Sequence, residues 1–579
     1  MLNSLILMQK LPVADWIESL TEWMTQAFAG FFSFLQNSGQ GLMDGITQLL
    51  LLVPPIVMIV GLTLIAFFIS KEKLSLPIFT GLGLLFILNQ NLWNDLISTF
   101  TLVLISSLVS IILGVPLGIL MAKNDKAQSI ITPILDFMQT MPGFVYLIPA
   151  VAFFGIGMVP GVFASVIFAL PPTVRFTNLG IRQVPKELVE ASDSFGGTGW
   201  QKLFKLELPL AKNTMLAGIN QTTMLALSMV VTASMIGAPG LGRGVLSALQ
   251  RAQVGNGFVN GVALVILAII IDRFIQYINK PKKTATKKKS LTIEQKKKRG
   301  LLITLAVVLV AIFGVTSLLN KEKGKEEINL AYVEWDTEVA STNVIGEVLR
   351  EAGYKVTLTP LDNSIMWQSI ANGETDAMVA GWLPNTHEAY IKKYQDKVDP
   401  LGVNLKGAKI GLVVPTYMDV DSIEDLDQEA QQKITGIEPG AGTVNLANET
   451  VKTYPNLKDW TVETSSSGAM TVALGQAIKK QEPIVITGWS PHWMFAKYDL
   501  KYLKDPKETM GTEENIETFA RKGLKEDQPE AYKILKNFEW EQKDIESVML
   551  DVSNGEDAQA AAKKWIDANR KTVDSWKSK

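Results

Sequence analysis

Three tryptophans in the C-terminal half of the 579-residue chain share a pattern that could do chemistry. DAMVAGWLPNTH (376–387) and EPIVITGWSPHWMF (482–495) each end an apolar run in Gly-Trp, with a proline two residues after the tryptophan. Trp335 lies 47 residues before Trp382, and Gly442 lies 47 residues before Trp489. MWQSIA (366–371) and MTVALG (470–475) also correspond, with a small length difference around Lys479 to Gln481. One tryptophan is usually core packing; three at the ends of equivalent strands can surround a cation that has no N–H groups. Each ring would contribute about 0.5–2 kcal/mol of cation–π attraction, and the methyl groups would be buried. An ordinary amine would call for carboxylates in the cage instead. The turn Glu438-Pro439-Gly440-Ala441-Gly442-Thr443 runs into NLANETVKTY, a helical stretch. Backbone N–H groups at a helix start bind carboxylates, although a plain tight turn would have the same sequence. His387, five residues after Trp382, could add a side-chain donor. His492 is a rival, but its neighbour Trp493 points to packing. A cation cage beside an anion site fits a small zwitterion, a betaine.

These residues need a scaffold, and the sequence from about Glu326 reads as an α/β domain. INLAYVEW, YKVTLTPL and DAMVAGW read as strands, and STNVIGEVLREAG as a helix ending at Gly353. The alternation predicts a parallel sheet. The repeat predicts two lobes, with Trp335-Asp336, Gly381 to His387, Gly440 to Val444 and Gly488 to Trp493 facing a shared cleft. The chain has no cysteine and only two histidines, which excludes disulfides, thiol chemistry and most zinc and catalytic constellations. No nucleophile–base pair stands out, so an enzyme reading is poor.

The first half has a different composition. Residues 321–579 hold 31 Lys/Arg against 43 Asp/Glu, so of the net charge of -2 the first 320 residues carry +10. The run KPKKTATKKKSLTIEQKKKR (280–299) sets ten cations against Glu294 and is followed by an apolar run at 301–319. Basic loops stay cytoplasmic, so the apolar run should carry the chain outward. Apolar length predicts spans at about 48–70, 75–92, 97–121, 129–154, 157–178, 213–237, 257–275 and 301–319. Loops 71–74, 122–128 and 179–212 then face inside. Val13 to Leu35 reads as an amphipathic interfacial helix. No carboxylate stands at mid-membrane, which argues against an ion-driven transporter.

The longest inside loop contains KELVEASDSFGGTGWQKLFKLELPLA, Lys186 to Ala211. A short helix on the cytoplasmic face, broken at Gly196 and Gly197, would suit a soluble partner. Glu190-Ala191-Ser192, then Gly196, Leu206, Leu208 and Pro209, resembles the EAA loop of ABC importer permeases, with Ser192 for the usual Ala and Leu206 for the usual Ile. In that family the loop docks in a cleft of the ATP-binding subunit. The chain has no G-x-x-x-x-G-K-[ST] phosphate loop, so ATP and Mg belong to a partner and this chain carries no cofactor.

YVEWDTEVAS, VAGWLPNTH, GIEPGAG, SSSGAMTVAL and VITGWSPHW resemble the substrate-binding proteins of glycine betaine and proline betaine ABC importers. The whole chain is similar to the fused permease–receptor subunit of an OpuA-type importer. The resemblance implies a multi-domain fold: an α-helical polytopic membrane domain (type I ABC importer permease), followed by an α/β two-lobed receptor of the periplasmic-binding-protein-like type II. The expected domains are an amphipathic segment (1–40), the permease (41–279), a basic cytoplasmic linker (280–300), a last transmembrane helix (301–319) and an extracellular receptor (326–579). The resemblance implies a prism of Trp335, Trp382 and Trp489 around trimethylammonium. It implies carboxylate contacts from the N–H groups of Gly442 and Thr443 and from His387. Thr443 stands where an aliphatic residue is common, with little effect expected on a backbone contact. It also implies a homodimer of this chain, two ATP-binding subunits with regulatory modules, and no nucleic acid. The run 280–299 would serve as topology signal and tether, with anionic lipid as a possible second ligand. A ligand-gated channel or signalling receptor with the same sensor is the alternative; it would have no use for an ATPase-docking loop.

Overall fold

A computed structural model describes residues 12–70, 74–251, 253–279 and 326–578. The basic run at 280–299 and the apolar run at 301–319 lie outside the described residues. The described residues divide into a helical unit, up to Arg243 and again from Val259, and an α/β unit that takes in the second half together with Gly244–Phe258.

The helical unit begins with α1 (Val13–Ala27) and α2 (Ala29–Leu51), so the single helix expected from Val13 to Leu35 breaks at Phe28. There follow α3 (Pro55–Ile69), α4 (Ser75–Asn89), α5 (Trp93–Lys123), α6 (Asp125–Thr140), α7 (Leu147–Phe154), α8 (Met158–Arg182), α9 (Lys186–Ser194), α10 (Gly199–Lys202), α11 (Leu208–Ser234), α12 (Leu241–Gln250) and α13 (Val254–Asn279). Among the described residues, four stretches are long and apolar enough to cross a membrane unbroken: Trp93–Lys123, Met158–Arg182, Gly199–Ser234 and Val254–Tyr277. Two expected spans are interrupted. The one at 48–70 contains the boundary between α2 and α3, bent by 89°, and the one at 129–154 is bent by 105° before the segment Gly143–Phe154. Both bends fall at prolines, Pro54-Pro55 and Pro142, which remove a helical N–H donor and clash with the preceding turn.

The core of this unit is α5, α8 and α11. A Cβ on Gly118 would come within 2.6 Å of the carbonyl oxygen of Val174, and one on Gly114 within 2.8 Å of Thr173 Cγ2. Absent side chains thus let α5 and α8 pack backbone to backbone. Thr173 and Thr222 share a buried hydroxyl hydrogen bond of 2.8 Å between α8 and α11.

In the α/β unit the strands are β1 (Glu327–Tyr332), β2 (Lys355–Pro360), β3 (Ala377–Leu383), β4 (Val398–Pro415), β5 (Lys433–Thr435), β6 (Thr461–Glu463), β7 (Val485–Ser490), β8 (Leu500–Tyr502) and β9 (Glu514–Arg521). Their order is β2-β1-β3-β9-β4-β7-β5-β6, with β8 beside β4. β1 pairs in parallel with β2 and β3, and β5 pairs in parallel with β6 and β7. Each lobe is therefore strand, helix, strand, helix, strand, as the repeat requires. The sheet as a whole is mixed rather than parallel. β4 and β9 run antiparallel to their neighbours, and β4 passes from one lobe to the other: Val398 to Ala408 pairs with β9, and Lys409 to Val413 with β7. One long strand serving two sheets must reverse against one parallel set to return the chain across the cleft. The second lobe packs around Leu412, Ile434, Tyr454, Trp460 and Val485, all buried.

Candidate functional site

Trp335 ends the link between β1 and the helix Asp336–Glu351, which it caps. Trp382 lies near the end of β3, and Trp489 near the end of β7. A cis peptide bond precedes the proline after each strand, Pro384 and Pro491, so the two lobes turn the chain alike. Gly442 opens the helix Gly442–Thr453. The four places coincide because the repeat puts each at the same end of its lobe. Trp335, Trp382, Trp489, Gly442 and Thr443 line one cleft with Thr386, Ile410, Ile437 and Ala441, around about 280 Å³ of atom-free space.

No lining residue carries a charge. Carboxyl groups do stand behind the rings. Glu338 accepts the indole N–H of Trp382 at 3.1 Å, and Glu438 accepts that of Trp335. Burial pushes the Glu338 carboxyl up to about 8, against the weaker opposing effect of the Trp382 hydrogen bond. Burial also raises Glu438. Each acid is thus engaged with an indole edge, and the ring faces remain as the cation surface. Neither role was read from the sequence. The partner of Glu338 lies 44 residues on, in β3, so no local spacing signals the first; Glu438 was read only as the start of a turn.

The anion side is built from backbone. Gly440 has φ +90°, a conformation that favours glycine. Ala441 is the extended N-cap, so Gly442 and Thr443 are the first two helical residues. Their N–H groups have no acceptor within the helix. The facing wall is Thr386, held by Glu514: the buried carboxylate accepts the N–H of Asn385 at 2.6 Å, the N–H of Thr386 at 2.7 Å and the Thr386 hydroxyl at 2.6 Å.

His387 is not in the lining. It is fully buried behind the cage, with its ring 5.9 Å from that of Trp335 and edge-on to Trp367 at 5.6 Å. Its Nδ1 accepts the backbone N–H of Trp382 at 3.1 Å. That bond puts the ring proton on Nε2, which has no protein partner among the described residues. Burial pushes its pKa down to about 3, so the imidazole is neutral. The reading of His492 as packing was incomplete. Its ring does lie against Trp489 at 4.7 Å, but its Nε2 also lies 3.2 Å from Asp336 Oδ2, and its Nδ1 accepts the N–H of Met494.

In the helical unit, Glu190, Ala191 and Ser192 lie on α9, which has no buried residue. Gly196 takes φ +73° and ends it. Gly197 approaches so closely that a Cβ would sit 2.9 Å from the carbonyl oxygen of Ser192. Lys202 bonds Asp193 at 2.7 Å, which folds α10 back on α9. Leu206 lies in a π-helical turn, Leu203–Glu207, and Pro209 opens α11. The turn absorbs the hydrogen bond that Pro209 cannot donate. Buried Glu207 accepts from Lys123 at the end of α5 at 2.5 Å. Phe195 is 91% exposed and Trp200 72%, so this loop carries apolar side chains on an open surface.

Residues 326–568 match the family model of the substrate binding domain of the ABC-type glycine betaine transport system. Residues 114–283 match that of the binding-protein-dependent transport system inner membrane component. The glycine betaine/carnitine transport permease protein GbuB of Listeria monocytogenes is 58% identical over 276 residues, 47% of this chain and 98% of that protein. The glycine betaine transport system permease protein OpuAB of Bacillus subtilis is 49% identical over 275 residues, 48% of this chain and 97% of that protein. The crystal structure of lactococcal OpuAC complexed with glycine betaine is 58% identical, covers 44% of this chain and 100% of that one, and aligns with a TM-score of 0.43.

Proposed function

The chain belongs to the binding-protein-dependent ABC importers of the OpuA type, permease and receptor in one polypeptide, and on that premise we propose that it captures glycine betaine and related quaternary ammonium osmoprotectants and passes them inward at the expense of ATP hydrolysed by a partner. The observation that carries the substrate class is the single cleft lined by Trp335, Trp382, Trp489, Gly442 and Thr443. Three uncharged aromatic faces suit a cation that offers methyl groups rather than N–H donors. Two helix-terminal N–H groups suit the carboxylate. His387, as a neutral Nε2–H donor behind Trp335, supports the anion end.

In this reading the receptor is extracellular, tethered through 301–319, and the permease is a homodimer served by two ATP-binding subunits that hold MgATP and the regulatory modules. The tether keeps the receptor near the pore at roughly millimolar effective concentration. The loop from α9 through Pro209 docks on the ATP-binding subunit. The basic run 280–299 contacts anionic lipid headgroups while serving as tether.

The test is calorimetric titration of the purified full chain in lipid nanodiscs with glycine betaine and with choline. Saturable betaine binding with much weaker choline binding is expected, because choline lacks the carboxylate and would leave the Gly442 and Thr443 N–H groups unpaired. Equal affinity for the two, or no betaine binding by a folded chain, overturns the ligand assignment.

A further inference from the structure

Two consecutive residues of the first lobe reach into the second. Trp335 donates its indole N–H to Glu438, and Asp336 accepts from His492 Nε2 at 3.2 Å and from the Ser467 hydroxyl at 3.4 Å. Trp382 is bonded differently: its acceptor, Glu338, belongs to the same lobe. The Trp382 indole can therefore keep its partner whether the cleft is open or closed, and the Trp335 indole cannot.

Glu438 also begins the turn that ends in the anion site. It lies two residues before Gly440, and its own carbonyl accepts the N–H of Ala441 at 3.3 Å. One side chain thus joins a wall of the cation cage to the turn that presents the Gly442 and Thr443 N–H groups. A ligand that orders Trp335 with its cationic end sets the donor for Glu438. The bond then holds the turn against the other end of the same ligand.

We infer that Glu438 is a positioning residue that latches the two lobes over a bound zwitterion by accepting the Trp335 indole N–H across the cleft. The inference rests on the proposed betaine reading and deepens it. Glu438 touches Trp335 rather than the ligand, so its effect falls on release. The bond forms only on closure, after encounter, and it must break before the lobes part. Asp336 and His492 hold the neighbouring point but do not connect to the anion turn.

Stopped-flow tryptophan fluorescence of the full chain in nanodiscs, with glycine betaine as the probe, separates the two rates. Glu438→Ala should raise the dissociation rate at least about tenfold, the worth of one buried hydrogen bond with its unpaired donor, and leave the association rate within about threefold. Glu438→Gln keeps an acceptor oxygen and should dissociate within about threefold of the wild type. Trp335→Phe removes the donor, and adding Glu438→Ala to it should bring no further acceleration. Glu438→Met fills the same volume without an acceptor and serves if the alanine variant does not fold. An unchanged dissociation rate in the alanine or methionine variant overturns the latch. So does a glutamine variant as fast as alanine, or a double variant with additive effects. Absent betaine binding in the wild type overturns the ligand reading and the latch with it, whereas normal wild-type binding with unaltered release in the variants overturns the latch alone.

Discussion

A methyl group on Gly442 would lie 2.4 Å from the carbonyl oxygen of Thr386, on the opposite lobe. The helix that offers its first N–H groups to the cleft therefore approaches the other wall as closely as backbone permits. Thr386 cannot retreat, because Glu514 accepts from its N–H, from its hydroxyl and from the N–H of Asn385.

Gly442→Ala should accordingly block closure. Overpacking costs about 1–3 kcal/mol, or roughly a 5- to 150-fold loss of betaine affinity. The clash is between lobes, so the thermal midpoint of the ligand-free chain should hardly move. Calorimetry paired with a ligand-free melt checks both, and full affinity in the alanine variant would contradict the close approach.

Trp382 supplies one face of the cage and donates its N–H to Oε1 of buried Glu338. Trp382→Ala removes the face and should weaken glycine betaine binding by roughly 2- to 30-fold, from cation–π loss alone. Trp382→Phe keeps a face but strands the Glu338 carboxyl, so its affinity should fall between wild type and alanine. A phenylalanine variant as weak as alanine would show that the N–H matters more than the ring face. The same calorimetric titration decides it.

The repeat was readable because it is written in residues that must recur: Gly-Trp at the end of a strand, proline two residues on, and a 47-residue interval from cage wall to cage wall. It placed Trp335, Trp382, Trp489 and Gly442 around one cleft before any coordinates. Strand direction was less readable. β4 and β9 have no counterpart in the repeat, and their antiparallel course follows from tying two lobes together. The two bent spans were hidden because apolar length carries no record of where proline breaks a helix rather than kinking it. Glu338 and Glu438 were missed for a related reason. A buried acid is visible in sequence only when its partner is known, and here the partner is an indole N–H on another element.

Glu338 gives a pH dependence with a definite sign. Burial raises its carboxyl from the ordinary range to about 8, so the folded receptor holds a proton that the unfolded chain releases near 4.5. The favourable contribution is complete below about 4.5 and is lost as pH rises toward 8. Receptor stability should therefore fall across that window by up to about 1.4 kcal/mol per pH unit from this group. Glu338→Gln keeps an acceptor for Trp382 without a titrating proton and should flatten the slope. Tryptophan-fluorescence melts of both proteins from pH 5 to 8 measure it, and parallel slopes would show that Glu338 is not the responsible group.

The exposed apolar side chains around the loop at 186–209 should matter for assembly rather than for capture of ligand. Trp200 stacks on Phe204 with ring centroids 5.3 Å apart and planes 7° from parallel, and Phe195 is 91% exposed. Aromatic groups clustered on an open surface mark an interaction site, and aromatic anchors commonly supply about 2 kcal/mol or more of an interface. Trp200→Asp removes the stack and puts a charge where the ATP-binding subunit is proposed to sit. Betaine binding by the receptor should persist, because the cleft and this loop belong to different units. Recovery of the ATP-binding subunit on co-purification, and ATP-driven betaine uptake into vesicles, should fall at least about tenfold. Undiminished co-purification with normal uptake would remove this surface from the coupling site and leave Glu190, Ala191 and Ser192 on α9 as the remaining candidates for the contact.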